Sequence, residues 1–170
     1  RSVMSLYGML GGADNVLNIK PERARFIHLD RPLLTNDELA KIKQLFHPHY
    51  KAGVVNATFK VGGQAGRLKA AIDHISAMAE DLVRNGHNIL VISDRQADAY
   101  HAPIPSLLST GAIHHHLVRT GLRAQTSLVV ETGDARETHH FATLIGYGAS
   151  ANNPYLTYAT ISDLYHHKDF

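Results

Sequence analysis

Cysteine is absent from this chain of 170 residues, and its absence excludes several kinds of chemistry at once. Without thiols there are no disulfides, no thiolate metal sites, no ligands for an iron–sulfur cluster and no cysteine nucleophile. Long apolar runs are absent too, because stretches such as residues 89–92 and 106–108 are far too short to span a bilayer. The net charge is only +2 and no basic or basic-aromatic run occurs, so nucleic acid is not an expected partner. These absences are consistent with a cytoplasmic protein, which is the location we expect.

The composition that remains is that of an ordinary globular domain, with 44% hydrophobic and 19% charged residues. The length fits a single domain, and a domain near this size buries roughly 70% of the surface that its unfolded chain exposes. The first residues, Arg1 to Met4, form neither a start methionine nor a signal peptide. We therefore expect a fragment, a processed product or a trimmed chain.

Apolar periodicity divides the chain into an extended lead-in with short helices, residues 1–52, and a core of strand–helix units, residues 53–170. Within the lead-in, Thr35 and Glu38 are spaced to cap a helix that Pro48 should stop. Predicted strands cover residues 53–59, 89–92, 127–130 and 149–152. Predicted helices cover residues 67–84, the segment opened by Pro103 and Pro105 and ended by Gly121, residues 137–145 and residues 157–165. Such repeated β/α units form an α/β fold with a parallel sheet that resembles part of a (β/α) barrel, although periodicity leaves a small open sheet as an alternative.

Histidine is abundant, with 13 residues, and His114, His115 and His116 stand in a row. Neighbouring residues of a helix point about 100° apart, so a consecutive triplet cannot converge on one ion. Helical zinc sites use the spacing i and i+4, and no two histidines of this chain are three or four residues apart. A metal site would have to join distant elements, for example His114 and His140 with Glu131. We favour the alternative, in which one histidine of the triplet faces the core and bonds a backbone carbonyl while the others cap the helix or contact a neighbouring domain.

Polar residues follow the predicted strands at the places where α/β folds bind ligands. Ligands of parallel α/β folds lie beyond the carboxyl ends of the strands. The candidates for holding a small anionic or amino-acid ligand there are Asp94, Arg95, Glu131, Thr132 and Asn153. The competing interpretation is structural, with Asp94 capping the segment after it and Glu131 paired with Arg95 or Arg123.

The densest pattern runs from Ala102 to Leu156 and contains P-I-P-S-L-L-x-x-G-A-I-H-H-H-L-V. It resembles the central domain of the glutamate synthase large chain, and the resemblance extends over nearly the whole sequence. It implies β/α units related to the flavin barrel that follows them in the parent, an enzyme that makes glutamate from glutamine and 2-oxoglutarate with ferredoxin or a pyridine nucleotide as electron donor. It also implies partners, since this domain links the N-terminal glutaminase to the FMN domain and helps to wall the ammonia passage between them.

The resemblance transfers no catalytic residue to this chain. The glutaminase nucleophile of the family is an N-terminal cysteine and its 3Fe-4S cluster needs three more, whereas this chain has none. The FMN site lies in the barrel downstream, so we expect no cofactor here. The resemblance therefore implies a non-catalytic scaffold within an enzyme of nitrogen assimilation.

One departure from the family pattern concerns the fourth predicted strand. After Gly148 the family usually reads A-D-A-(V/I)-N-P-Y, whereas this chain reads A-S-A-N-N-P-Y. Asn152 thus replaces a β-branched apolar residue on a strand presumed to be buried, which lowers stability unless its amide is hydrogen-bonded. This puts the fourth strand, or the packing beyond it, in doubt.

Two other functions stay open on the sequence. One is a stand-alone α/β hydrolase or lyase with a metal held by His114, His140, Asp94 and Glu131. The other is a module that binds a small molecule at the strand ends.

Overall fold

The computed structural model of the chain describes residues 6–13, 26–45, 47–62 and 65–167. Within these ranges the strands are β1 (Gly8–Leu10), β2 (Ile27–Leu29), β3 (Ala52–Asn56), β4 (Thr58–Lys60), β5 (Ile89–Ser93), β6 (His101–Pro103), β7 (Ser127–Glu131) and β8 (Ala151–Asn153). The helices are α1 (Asn36–Lys43), α2 (Arg67–Arg84), α3 (Ser106–Arg119), α4 (Thr138–Gly146) and α5 (Tyr155–His167).

The central sheet contains β3, β5, β7 and β8, which lie side by side in chain order and run parallel. Every residue of β5 and β7 is buried, as expected for strands that are covered on both faces. The connecting helices α2, α3 and α4 provide the crossovers. A sheet in unbroken chain order is the order of a barrel segment, whereas a doubly wound sheet reverses at a switch point. The structure thus confirms the prediction of a parallel α/β fold built from barrel-like units.

Alternating side chains divide the core between the two faces of the sheet. On one face, α2 and α3 pack on the sheet through Val55, Ile75, Ala79, Val83, Leu90, Ile92, Ile113, Leu117 and Leu128. On the other face, α1 and the pair β1–β2 pack on it through Leu10, Leu29, Leu34, Leu39, Ile42, Ile89, Val91, Val129 and Ala151. The polar ends of the strands are therefore held between α1 on one side and the loops that lead to α3, α4 and α5 on the other.

Several predicted elements are confirmed, and some boundaries differ. Helix α2 has the predicted bounds, and α1 begins after Thr35 as a capped helix, as predicted. Its cap is a capping box, in which Thr35 and Glu38 bond each other's backbone amides. Helix α1 ends at Lys43, before Pro48, because a proline limits a helix without requiring it to extend that far. The predicted strand 53–59 is in fact two strands, since β4 turns away to pair antiparallel with the unpredicted β6.

Strand β8 forms despite the asparagine that put it in doubt. Asn152 is fully buried, and its backbone bonds a segment on the outer side of the sheet: its N–H donates to Pro32 O and its carbonyl accepts from Leu34 N, both at 2.8 Å. Its side-chain Nδ2 reaches Phe141 O at 3.4 Å, while Oδ1 has no partner among the described residues. Backbone bonding on both sides explains why this strand tolerates a poorly satisfied amide.

Candidate site at the carboxyl ends of the strands

The last residues of the four parallel strands form one polar row. The strand register aligns Asn56 with Ser93, Ser93 with Glu131, and Glu131 with Asn153. Side chains at aligned positions of a parallel sheet point to the same face, so the whole row faces α1. The preceding row on this face is Val54, Val91, Val129 and Ala151. The apolar core therefore changes to a polar layer at the carboxyl edge of the sheet.

Glu131 is the centre of this row, with only 3% of its side chain exposed. Its carboxylate accepts hydrogen bonds from Lys43 Nζ at 2.6 Å, from Ser93 Oγ at 2.5 Å and from Arg95 Nε at 2.9 Å. Burial raises the pKa of Glu131, but the hydrogen bonds and positive charges around it outweigh burial and hold the pKa below its ordinary value. Glu131 is thus an ionised, fully partnered carboxylate at neutral pH.

Asp94 organises the opposite side of the same edge. It accepts Thr132 Oγ1 at 2.8 Å and the backbone N–H of Gly133 at 3.0 Å. The phenol of Tyr155 also hydrogen-bonds Asp94, and burial together with this carboxylate raises the pKa of Tyr155 to about 12. A side chain at Gly133 would approach the Tyr155 oxygen to 3.1 Å, so glycine makes room for the phenol.

Arg95 and Asn153 connect the two carboxylates with α1 and α5. The Arg95 guanidinium lies over the Tyr155 ring, 4.3 Å from its centroid, in addition to its bond with Glu131. Asn153 Nδ2 donates to Leu34 O at 2.9 Å and to Asn36 Oδ1 at 3.1 Å. The Oδ1 atom of Asn153 is buried and lacks a partner in the part of the chain that the structure describes.

The structure thus brings all five predicted site residues to one edge of the sheet and joins them to one another. We call this group, with Lys43, Ser93 and Tyr155, the strand-end network. The predicted pairing of Glu131 with Arg95 is present, whereas Arg123 lies elsewhere and bonds Thr126 O and Gly148 O. Sequence reasoning missed the three added members. Only Ser93 had a usable signal, because it occupies the strand-end position that matches Glu131.

The histidines suggested as metal ligands have other neighbours. His114 Nδ1 accepts Arg123 Nε at 3.0 Å, and His140 Nδ1 accepts the backbone N–H of Arg136 at 3.2 Å. His116 Nε2 bonds Glu80 of α2 at 2.6 Å. Across the described ranges, no group of three or more His, Cys, Asp or Glu side chains is arranged to hold a metal ion. The metal alternative built on His114 and His140 therefore gains no support from the geometry.

His114 adopts the tautomer that its partner requires. Because an arginine guanidinium stays protonated and only donates, Nδ1 of His114 must be deprotonated to accept its bond. Burial, the charge of Arg123 and that of His115 all lower the pKa of His114. The imidazole thus ties α3 to the turn that precedes β7. The predicted bond from a histidine ring of the triplet to a backbone carbonyl is wrong, because the ring partners of His114 and His116 are the side chains of Arg123 and Glu80.

Comparison with known proteins identifies one family profile and several relatives. Residues 1–170 match the family profile described as glutamate synthase central domain. The chain is 39% identical to the glutamate synthase [NADPH] large chain of Bacillus subtilis over 158 residues, which is 93% of this chain and 10% of that protein. It is 39% identical to the glutamate synthase [NADH] of Schizosaccharomyces pombe over 165 residues, 95% of this chain and 8% of that protein. It is 40% identical to the chloroplastic ferredoxin-dependent glutamate synthase of Spinacia oleracea over 161 residues, 93% of this chain and 10% of that protein.

The chain spans about a tenth of the length of the relatives it matches. Those relatives differ in the electron donor that their names state. Among the residues described here, no helix combines the length and the apolar content needed to cross a membrane.

Proposed function

Because the chain belongs to the glutamate synthase central-domain family, we propose that it serves as a non-catalytic structural domain of a glutamate synthase large chain. In this proposal it links the glutaminase domain to the FMN domain of an enzyme that makes glutamate from glutamine and 2-oxoglutarate. Its partners are the other domains of that chain, and the location is cytoplasmic. The family match over the full length, together with the small share of each relative that is covered, supports this proposal.

One observation carries the structural role: the chain's own side chains fill the edge where a β/α domain would bind its ligand. Both carboxylates of the strand-end network are buried and accept bonds from side chains or backbone of the same chain. A catalytic acid or base needs a reacting proton within reach, whereas Asp94 and Glu131 are surrounded by internal donors. The network instead joins α1, the sheet and the first turn of α5.

The cofactors of the family do not fit the residues present. A 3Fe-4S cluster takes thiolate ligands, and the chain contains no cysteine. The phosphate of FMN requires a cradle of free N–H donors or cations. At the strand-end edge Lys43 and Arg95 are bonded to Glu131, and the N–H of Gly133 is bonded to Asp94. We therefore assign FMN and the cluster to other domains of the parent and derive no step through them.

Apolar surface on the outer helices supports a role in contacts between domains. A groove of about 770 Å³ lies between α2, α3 and α4, and it is lined partly by Leu107, Leu108, Ala112 and Tyr147. Leu108 and Tyr147 are both exposed. Apolar surface of this kind marks interaction sites on soluble domains.

The first experiment asks whether the native gene product is longer than this chain. An immunoblot of native lysate with an antibody against the domain should show a band many times heavier than 18.7 kDa. A band at 18.7 kDa alone would overturn the proposal.

The second experiment separates a structural network from a catalytic one. In the full-length enzyme, Glu131→Gln should lower the melting temperature while leaving kcat within about threefold, because no proton transfer depends on it. Removal of a general acid or base would reduce kcat by about 10²–10⁴-fold. The matched control is Asp81→Asn, which changes an exposed carboxylate on the surface of α2 outside the groove. A collapse of kcat in a folded Glu131→Gln enzyme would refute the structural role.

A small-molecule site at the same edge is a second candidate, favoured by the buried Oδ1 of Asn153, which has no partner among the described residues. Thermal shifts with glutamine, glutamate, 2-oxoglutarate and FMN test it. A ligand at a hundred times its Kd should stabilise the domain by about 2.7 kcal/mol. If none of the four compounds shifts the melting temperature, the structural role is the candidate that remains.

A further inference from the structure

Helix α5 has an apolar face that the rest of the described chain covers only in part, because Tyr158 and Leu164 are half-buried. At 100° per residue, Tyr158, Ile161, Leu164 and Tyr165 fall within one third of the helix circumference. We call these four side chains the α5 stripe. Ile161 is 55% exposed and Tyr165 75% exposed, and no residue of α5 is buried. The opposite face carries Asp163 and His167, which pair with each other at 3.4 Å.

The beginning of α5 is fixed firmly to the domain. Tyr155 bonds Asp94 and lies under the guanidinium of Arg95. Thr157 Oγ1 donates to Ala135 O at 2.9 Å, and burial raises the pKa of Tyr158 near Arg31 and Glu38. After this first turn the helix continues with Ile161 and Tyr165 of its stripe exposed and Leu164 half-buried. The strand-end network thus sets the direction in which the stripe is presented.

A partly exposed apolar stripe on a helix of this length indicates an interaction surface. Helix α5 has 13 residues, and isolated helices shorter than about 12–15 residues are marginal in water because most helical stability comes from packing an apolar face. A second copy of the chain is a poor occupant, since four side chains are far fewer than the roughly 20–30 residues that each separate partner contributes to a stable interface. A segment of the same chain needs less contact surface, because its association is intramolecular. The relatives, in contrast, carry about nine-tenths of their length outside the matched region.

We propose that the α5 stripe is a docking surface for another segment of the same large chain, and that the strand-end network orients α5 toward that segment. The occupant is an apolar surface of a neighbouring domain, because the stripe itself carries no charge. This inference rests on the proposed function, since it requires the rest of the large chain. It goes further by naming the surface of this domain that makes the contact and the side chains that orient it.

Hydrogen exchange of the full-length chain, measured by mass spectrometry, tests this docking surface directly. In the wild type, peptides covering residues 159–165 should exchange at least about 100-fold more slowly than an unfolded chain. The double variant Ile161→Ser with Tyr165→Ser should lose at least tenfold of that protection. The matched control, Ala159→Ser with Asp163→Ser, has the same spacing on the opposite face and should keep it. Peptides from β5 and β7 report whether each variant is folded, and the single variant Ile161→Ser replaces the double one if it is not.

Each outcome has one meaning for the proposal. Fast exchange of α5 in the wild-type full-length chain, or equal loss in the stripe and control variants, would overturn it. Loss of wild-type protection on dilution from dimer to monomer would identify a second copy as the occupant and would also overturn it. Glutamate formation from glutamine and 2-oxoglutarate is measured on the same preparation. If no glutamate forms while α5 is protected, the proposed function is contradicted but the docking surface is still supported.

Discussion

Replacing Asn152 by valine should stabilise this domain, although it removes a hydrogen bond. Asn152 is fully buried in β8, and its register with Val130 places its side chain on the face that packs against α4. The apolar cluster there contains Val130, Ala135, Leu144 and Ala149. Within that cluster Oδ1 lacks any partner among the described residues, and Nδ2 makes only a 3.4 Å bond to Phe141 O. The asparagine is therefore mostly desolvated without compensation.

The expected magnitude follows from three contributions. A buried polar group without a partner destabilises by about 1–3 kcal/mol, so its removal returns that amount. The long bond to Phe141 O stabilises by no more than about 1 kcal/mol, and its loss subtracts from the gain. A β-branched apolar side chain also suits a buried strand. We expect the free energy of unfolding to rise by about 1–2 kcal/mol, which raises Tm by about 2–8 °C for a domain of this size.

Urea unfolding followed by far-ultraviolet circular dichroism measures the change. The midpoint should rise while the slope m stays constant, which indicates a change of stability without a change of surface exposed on unfolding. Asn152→Ala removes the same amide but leaves a cavity, so it should gain less than valine. Thr110→Val is an independent comparison, because Thr110 Oγ1 on α3 is also buried without a partner among the described residues. A lower midpoint for both Asn152 variants would refute the reasoning.

Three further predictions concern the polar contacts and one close approach. The folded state lowers the pKa of His114 below the unfolded value of about 6.5, so the unfolded state binds more protons and stability falls as pH drops below 6.5. His114→Asn should reduce this pH dependence of stability, which is at most about 1.4 kcal/mol per pH unit for one group. Urea unfolding at pH 5.5 and 7.5 would measure the difference. Lys43→Met should destabilise the domain by about 1–3 kcal/mol, because it removes one of the two cations that pair with buried Glu131. When Glu131→Gln is added in the same chain, the total loss of stability should be smaller than the sum of the two single losses. Gly148→Ala should destabilise more than Gly86→Ala, because both glycines have positive φ but a side chain at Gly148 would overlap the His114 ring whereas the space at Gly86 is open.

Each of these predictions has an outcome that would contradict it. An identical pH dependence of stability in the wild type and in His114→Asn would show that another group is responsible. Strict additivity of the Lys43 and Glu131 substitutions would mean that the 2.6 Å ion pair contributes no coupling energy. Equal losses for the two glycine variants would show that the ring of His114 gives way without strain.

Local sequence patterns were sufficient wherever the signal lies within one element. The apolar stripe of α2 predicts its bounds, because helical spacing is a property of consecutive residues. The capping box of α1 likewise needs only Thr35 and Glu38, three positions apart. The continuous apolar run of β5 predicts a strand buried on both faces. The parallel α/β class of the fold follows from these elements together.

Elements defined by pairing were missed for a physical reason. Strands β4 and β6 have three residues each and exist because they pair with each other across a long loop. The pair β1–β2 in the lead-in has the same character. Three residues carry too little periodicity to indicate a strand, and the pairing that stabilises them involves residues far apart in the chain.

The strand-end residues show the same division within a single site. Position after a strand was enough to single out Asp94, Arg95, Glu131, Thr132 and Asn153, because the carboxyl ends of parallel strands share one edge. Whether that edge is open to a ligand or closed depends on what crosses it. Lys43 reaches Glu131 from 88 residues away, and Tyr155 reaches Asp94 from the start of α5. The sequence alone therefore determined which residues share the edge, since the carboxyl ends of all parallel strands of a sheet lie on one side. Only the packing of α1 and α5 over the edge decided that those groups bond one another, because a buried charge takes as its partner whichever donor the tertiary fold brings near.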